Sequence, residues 1–157
     1  GLIGLGRIGR CTANMAKALG MQVIYTNRSG HSPANEPFHH VPIDELLAGS
    51  DFISLHIPKS PEPILTKVEI EKMKDGVYLV NTARGNLIDE NDLIDALDSG
   101  KVAAAALDVF AEEPTKNKRL YTHPKISLTP HIGASTCEAQ ERIGEEVVAH
   151  IVSQFKL

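Results

Sequence analysis

The first nine residues constrain this chain more than any other stretch: Gly1-Leu2-Ile3-Gly4-Leu5-Gly6-Arg7-Ile8-Gly9 is an apolar run that closes into Gly4-x-Gly6-x-x-Gly9. Such a run reads as a buried strand that turns sharply into a helix. In this pattern the first glycine permits the tight turn, the second lets a pyrophosphate approach the backbone, and the third lets the helix pack closely on the strand. The helix N-terminus adds unpaired N–H groups and the positive end of a dipole. Gly-rich turns also serve as plain connections, so the flanking sequence decides whether this is a dinucleotide site.

After the glycines the chain reads as a helix and then a strand. Ile8, Thr12, Met15, Ala16 and Leu19 recur at helical spacing, Gly20 stops the helix, and Met21 to Thr26 reads as a short strand. In a βαβ dinucleotide unit an acid near this point binds the ribose 2′-hydroxyl of NAD. Here the second strand ends in Tyr25-Thr26-Asn27-Arg28-Ser29, without an acid. Arg28 with Ser29 suits a 2′-phosphate and favours NADP. The alternative is that Arg28 is a solvated loop residue and Asn27 binds the hydroxyl of NAD.

Strand and helix signals then alternate to the end of the chain. Residues 29–42, rich in Ser, Gly, His, Asn and Pro, read as an irregular loop, and Pro42 to Leu47 as a short helix. Further strands are expected at Asp51–His56, Val77–Asn81, Val102–Val109 and Lys125–Leu128. Helices are expected around Glu69, Ile70, Met73 and Lys74, capped by Gly76, and from Asp89 through Leu93, Ile94 and Leu97 to Gly100. Ser135-Thr136-Cys137-Glu138 reads as a capping box that opens a last helix with Ala139, Ile143, Val147 and Ile151 as its apolar stripe. The pattern is α/β, a doubly wound parallel sheet of the Rossmann kind with strand order 3-2-1-4-5-6, whose ligand lies at the carboxyl ends of the strands.

Composition removes other classes. A chain of 157 residues with 42% apolar and 23% charged residues fits one domain with a real core, and a net charge of −4 gives no footprint for nucleic acid. No apolar run reaches membrane-spanning length and no leader precedes the motif, so a cytoplasmic protein with no membrane partner is expected. Cys11 and Cys137 make no disulfide framework and are read as packing residues in helices. His31, His39 and His40 lack supporting ligands, so no metal is expected. The chain starts inside its first strand, which leads us to expect a piece of a longer protein.

Polar residues of reactive type fall after the strands. Arg84 follows the fourth strand, Asp108 and Glu113 the fifth, and His131 the sixth. Arg84 can grip a carboxylate with both arms of its guanidinium, His131 can exchange a proton near neutral pH, and Glu113 beside it would favour the imidazolium. Singly, each has a plain alternative: a surface ion pair, a loop charge or a packing histidine.

In combination these segments resemble the D-isomer-specific 2-hydroxyacid dehydrogenases over essentially all 157 residues, specifically their cofactor domain. The resemblance rests on Gly4-Leu5-Gly6-Arg7-Ile8-Gly9, Val80-Asn81-Thr82-Ala83-Arg84-Gly85, Ala106-Leu107-Asp108-Val109-Phe110-Ala111-Glu112-Glu113-Pro114 and Thr129-Pro130-His131-Ile132-Gly133-Ala134. It implies a catalytic set of Arg84, Glu113 and His131. It also implies a dinucleotide lined by the glycine turn with Arg7 and Ile8, by position 27, Pro58, Thr82, Ala83, Arg84 and Asp108, and by His131, Gly133 and Ala134. The related formate dehydrogenases carry Gln in place of Glu113. The stretch from Pro130 to Gln140 is most similar to D-3-phosphoglycerate dehydrogenases, whereas Tyr25 to Ser29 is more similar to glyoxylate and hydroxypyruvate reductases. Ser60-Pro61-Glu62-Pro63-Ile64 departs from the family's usual Pro-Glu-Thr.

The reaction so implied is hydride transfer between NADP or NAD and C2 of a small 2-hydroxy or 2-oxo acid. The resemblance further implies a substrate domain outside this segment, a homodimer in the full-length protein, and poor turnover by this segment alone. A non-catalytic dinucleotide sensor, similar to corepressors that share this fold, is the alternative.

Overall fold

A computed structural model describes residues 1–28, 30 and 37–156 of the chain. Ser29 and His31 therefore lie outside the described residues. Seven parallel strands form one sheet in the order β3-β2-β1-β4-β5-β6-β7. They are β1 (Leu2–Ile3), β2 (Ile24–Thr26), β3 (His39–His40), β4 (Phe52–Leu55), β5 (Val77–Asn81), β6 (Val102–Leu107) and β7 (Ile126–Leu128). The helices are α1 (Arg7–Ala18), α2 (Ile43–Gly49), α3 (Lys67–Glu71), α4 (Glu90–Ser99), α5 (Lys118–Tyr121) and α6 (Cys137–Phe155). The expected order holds with a seventh strand appended, but a different segment fills third place. His39 and His40, inside the stretch read as a loop, pair with Ile24 and Tyr25 at the sheet edge, and the strand at Phe52–Leu55 sits beside β1. A two-residue edge strand is too short to show a periodic pattern, so it leaves no sequence signal.

Apolar residues of the strands and of α2 to α5 make the main core, where Leu46, Leu47, Ile53, Leu55, Leu79, Leu93 and Leu97 are fully buried. Right-handed crossovers place α1 on one face of the sheet and α2 to α5 on the other. The α1 face is the thinner one. A groove of about 680 Å³ lies there, lined by Thr12, Ala16, Ile24, Phe52 and Val80 among others. Phe52 stacks on Tyr78 with ring centroids 4.8 Å apart, and both remain more than 40% exposed.

Several local expectations change. In α1 the sequence pattern puts Ile8, Met15 and Leu19 inward, whereas the buried residues are Gly9 and Ala13, and Ile8, Met15 and Leu19 are 71%, 62% and 82% exposed. Close packing of this helix on the sheet selects the small residues for the inner face. The third helix ends at Glu71, before Met73 and Lys74, and its N-cap Thr66 forms a capping box with Glu69. The last helix is capped by Thr136, whose hydroxyl accepts the Ala139 amide, rather than by Ser135. Its stripe of Ile143, Val147 and Ile151 lies open to solvent. Cys11 and Cys137 stand in helices as expected but are exposed, so they are not packing residues. By contrast Asp89 accepts the Asn91 and Asp92 amides at the head of α4, and Gly100 ends that helix in the left-handed region, as the sequence indicates. No helix among the described residues is long and apolar enough to cross a membrane.

Candidate active site

Because all seven strands are parallel, their carboxyl ends share one edge, and hydrogen bonds continue the ladder into the loops there. The Gly4 amide donates to Thr26 carbonyl oxygen (2.9 Å), His56 to Ile3 (2.8 Å), Asp108 to Asn81 (3.0 Å) and Thr129 to Leu107 (3.0 Å). The order reverses between β1 and β4, which opens a crevice at the glycine turn.

Each glycine of the turn has its own steric reason. Gly4 sits at φ +99°, and a Cβ there would lie 2.5 Å from the His56 carbonyl oxygen. A Cβ on Gly9 would lie 2.3 Å from the Gly4 oxygen, so α1 and the turn touch backbone to backbone. Gly6 differs: it has ordinary φ and nothing within 4 Å of its Cβ position. That open space stands at the N-terminus of a 12-residue helix, where amides point outward. The cradle suits a pyrophosphate. Arg7 and Ile8 begin the helix, both exposed, with the Arg7 guanidinium 3.8 Å from Glu146 of α6. Asn27 and Arg28 follow β2, with Arg28 exposed in a turn, and Pro58 is exposed after β4. His56, half-buried beside the turn, meets the Ser54 hydroxyl at 2.9 Å, and burial lowers its pKa.

After β5 the buried Asn81 shapes the next turn. Its Oδ1 accepts the Ala83 amide (3.0 Å) and its Nδ2 donates to the Arg84 carbonyl oxygen (2.9 Å). The exposed Arg84 guanidinium donates to the Ala83 carbonyl oxygen at 2.6 Å, and Thr82 is exposed beside it. A Cβ on Gly85 would fall 1.7 Å from the Phe110 carbonyl oxygen. The Arg84 turn is thus pressed against the loop that carries Glu113.

The ends of β6 and β7 hold a polar cluster. Asp108, only 4% exposed, accepts from the Thr129 hydroxyl (2.5 Å) and from the Ile132 and Gly133 amides (2.9 and 3.0 Å). Burial raises its pKa, but these bonds and the nearby His131 outweigh that and hold its carboxyl below the ordinary value. The bonds fold residues 129–133 into a corner in which His131 adopts φ 55°, a left-handed conformation uncommon outside glycine. From that corner His131 Nδ1 meets Glu113 Oε2 at 2.6 Å. Glu113 Oε1 accepts the Phe110 amide at 3.1 Å. The His131 bond first, then the Phe110 amide, keep the Glu113 carboxyl below its ordinary value.

His131 and Glu113 are therefore in direct contact, Asp108 supports them from below, and Arg84 stands on the adjoining turn without a bond to either. Gly133 and Ala134 continue the His131 corner, exposed. Sequence reasoning passed over Asn81, Thr129 and Glu90 as structural parts of the site. An Asn closing an apolar strand before a turn is a recognisable signal; Glu90 reads locally as an acid favouring a helix N-terminus, which hides its reach to another loop.

Residues 1–133 match the family described as D-isomer specific 2-hydroxyacid dehydrogenase, NAD binding domain. The chain is 51% identical over 144 residues to 4-methyl-2-oxopentanoate reductase A of Aspergillus oryzae, covering 90% of this chain and 44% of that protein. It is 46% identical over 164 residues to hydroxypyruvate reductase of Thermotoga maritima, covering 99% of this chain and 52% of the relative. Among solved structures, a glyoxylate reductase from Paecilomyes thermophila superposes with a TM-score of 0.91 at 44% identity, over 97% of this chain and 47% of the other. The chain spans about half the length of these relatives.

Proposed function

The chain belongs to the D-isomer specific 2-hydroxyacid dehydrogenase family, through that family's NAD-binding domain, and from that premise we propose that it is the cofactor domain of a two-domain reductase acting on a small 2-oxo acid. The observation that carries the reading is the 2.6 Å contact between His131 Nδ1 and Glu113 at the strand ends. Glu113, held ionised, is an acceptor only, so the proton on that contact belongs to Nδ1. Nε2 is left as the atom that faces substrate. Protonated, it donates to the carbonyl oxygen of a 2-oxo acid as that oxygen becomes a hydroxyl; in the reverse direction it takes the hydroxyl proton back. Glu113 fixes the ring and stabilises the imidazolium. Arg84, on the neighbouring turn, receives the substrate carboxylate with its fork and orients C2.

A bound nicotinamide dinucleotide supplies the hydride. Gly4, Gly6, Arg7, Ile8 and Gly9 would hold its pyrophosphate, with Pro58, Thr82, Ala83, Gly133 and Ala134 along the crevice. Asp108 would act through the His131 corner, since its oxygens already have protein partners. Neutral Asn27 and exposed Arg28 support NADP over NAD. Reductases among the relatives support glyoxylate or hydroxypyruvate as substrate, and they favour an enzyme over a dinucleotide sensor.

The test is oxidation of NADPH and NADH by the full-length protein with glyoxylate and hydroxypyruvate. His131→Ala is expected to lower kcat by about 10² to 10⁴-fold. Turnover unaffected by this substitution, or absent with every 2-oxo acid tried, would remove the reading.

A further inference from the structure

Glu90 is the first residue of α4, a helix anchored by the buried Leu93, Ile94 and Leu97. An acid there ordinarily serves the helix N-terminus, but Asp89 already accepts the Asn91 and Asp92 amides. Both Glu90 oxygens point elsewhere. Oε1 accepts the Ala111 amide at 2.9 Å and Oε2 accepts from Asn117 Nδ2 at 3.0 Å. Asn117 in turn caps α5 through the Leu120 amide. Ala111 and Asn117 flank Glu113 in the loop between β6 and α5, and the amide just before Ala111, that of Phe110, is bound by Glu113 itself.

We propose that Glu90 is a positioning residue that clamps this loop to α4 on both sides of Glu113 and so keeps the Glu113 carboxylate on His131. The clamp works through reach. A carboxylate two methylenes from the backbone spans the two donors, whereas a shorter side chain holds one at most. Gly85 supplies the opposing wall, because its missing side chain lets the Arg84 turn bear directly on the Phe110 backbone. With Glu90 pulling on Ala111 and Asn117, and the Arg84 turn against Phe110, the loop is fixed from two sides. The charged groups facing Glu113 are His131 and Asp108; Glu112 pairs instead with Lys116.

The proposal rests on the reading of Glu113 and His131 as the proton-handling pair, and the experiment separates the two. The side-chain carboxyl of Glu113 is titrated by carbon-13 NMR in this chain, and kcat and KM are measured in the full-length protein. Glu90→Asp keeps the charge at the helix start but not the reach. In this variant and in Glu90→Ala the Glu113 carboxyl is expected to titrate closer to the ordinary glutamate value than in the wild type. Glu90→Gln keeps the length and an acceptor for the Ala111 amide but sets an Nε2 donor against the Asn117 Nδ2 donor, so it is expected to shift the Glu113 titration in the same direction as Glu90→Ala but by less. In the full-length protein Glu90→Asp is expected to lower kcat by about tenfold or more, with KM for the dinucleotide unchanged. An unshifted Glu113 titration in both Glu90→Asp and Glu90→Ala overturns the clamp; if Glu90→Ala does not fold, the charge-preserving Glu90→Asp decides alone. A shifted titration in a protein that turns over no 2-oxo acid supports the clamp and defeats the dehydrogenase reading.

Discussion

At the glycine turn, space is created by leaving atoms out; at the His131 corner, it is created by adding partners. The turn brings Gly4, Gly9 and the His56 backbone together so closely that any Cβ would collide, and leaves Gly6 open beside the helix N-terminus. The corner instead gathers a hydroxyl and two amides on Asp108, and sets an exposed histidine against an ionised glutamate. Backbone geometry holds the first region and polar side chains hold the second. A site of the first kind tolerates changes of pH and fails on added volume; a site of the second kind tolerates volume at its rim and fails when a proton or an acceptor is altered.

The contrast is broken most severely at Gly6. Asp is a favoured N-cap, so Gly6→Asp should leave the melting temperature unchanged or higher, while its carboxylate fills the open space and repels phosphate. Dinucleotide affinity is expected to fall by roughly 100-fold, or about 3 kcal/mol, read by nicotinamide fluorescence. Retained affinity would show that the dinucleotide does not lie on this helix.

The corner is sharpened by Asp108→Asn, which replaces an acceptor with a donor facing buried donors and is expected to cost about 1–3 kcal/mol of stability at neutral pH. The folded-state pKa of Asp108 lies below its ordinary value of 3.8. Its contribution is therefore present above that value and is lost as pH falls through the lower folded-state pKa. Urea unfolding at pH 7 and at pH 3 should show the gap between the two proteins narrowing in acid; an equal gap at both would mean that the charge is not what holds the corner.

The smallest effect is expected at the edge of the cradle. Arg28→Ala should weaken NADPH by roughly tenfold, about 1.4 kcal/mol, and leave NADH unchanged. If instead NADH binds as tightly as NADPH in the wild type, indifferent to Arg28, Asn27 serves the ribose hydroxyl.

Legibility in the sequence divides along the same line. Gly4 and Gly9 are placed by chain geometry alone, and Asp89 and Gly100 mark the ends of α4 by local chemistry, so each is read correctly from its neighbours in the chain. His39–His40 is not legible, because a strand of two residues is defined only by the partner it pairs with. Glu90 is not legible as a clamp, since Ala111 and Asn117 reach it only after β6 has folded alongside β5. The exposed apolar residues of α1 and α6 mislead in another way: helical periodicity reports which side is apolar, but not whether a neighbour covers it.

The contact between Gly85 and Phe110 also bears on how such a site changes over evolutionary time. Because no side chain fits at position 85, the turn that presents Arg84 and the loop that presents Glu113 cannot be remodelled one at a time. A lineage that changes either loop must keep both shapes and vary only the surfaces around them. Arg84 and Glu113 are thereby inherited as a unit, and diversity is left to the surfaces around them.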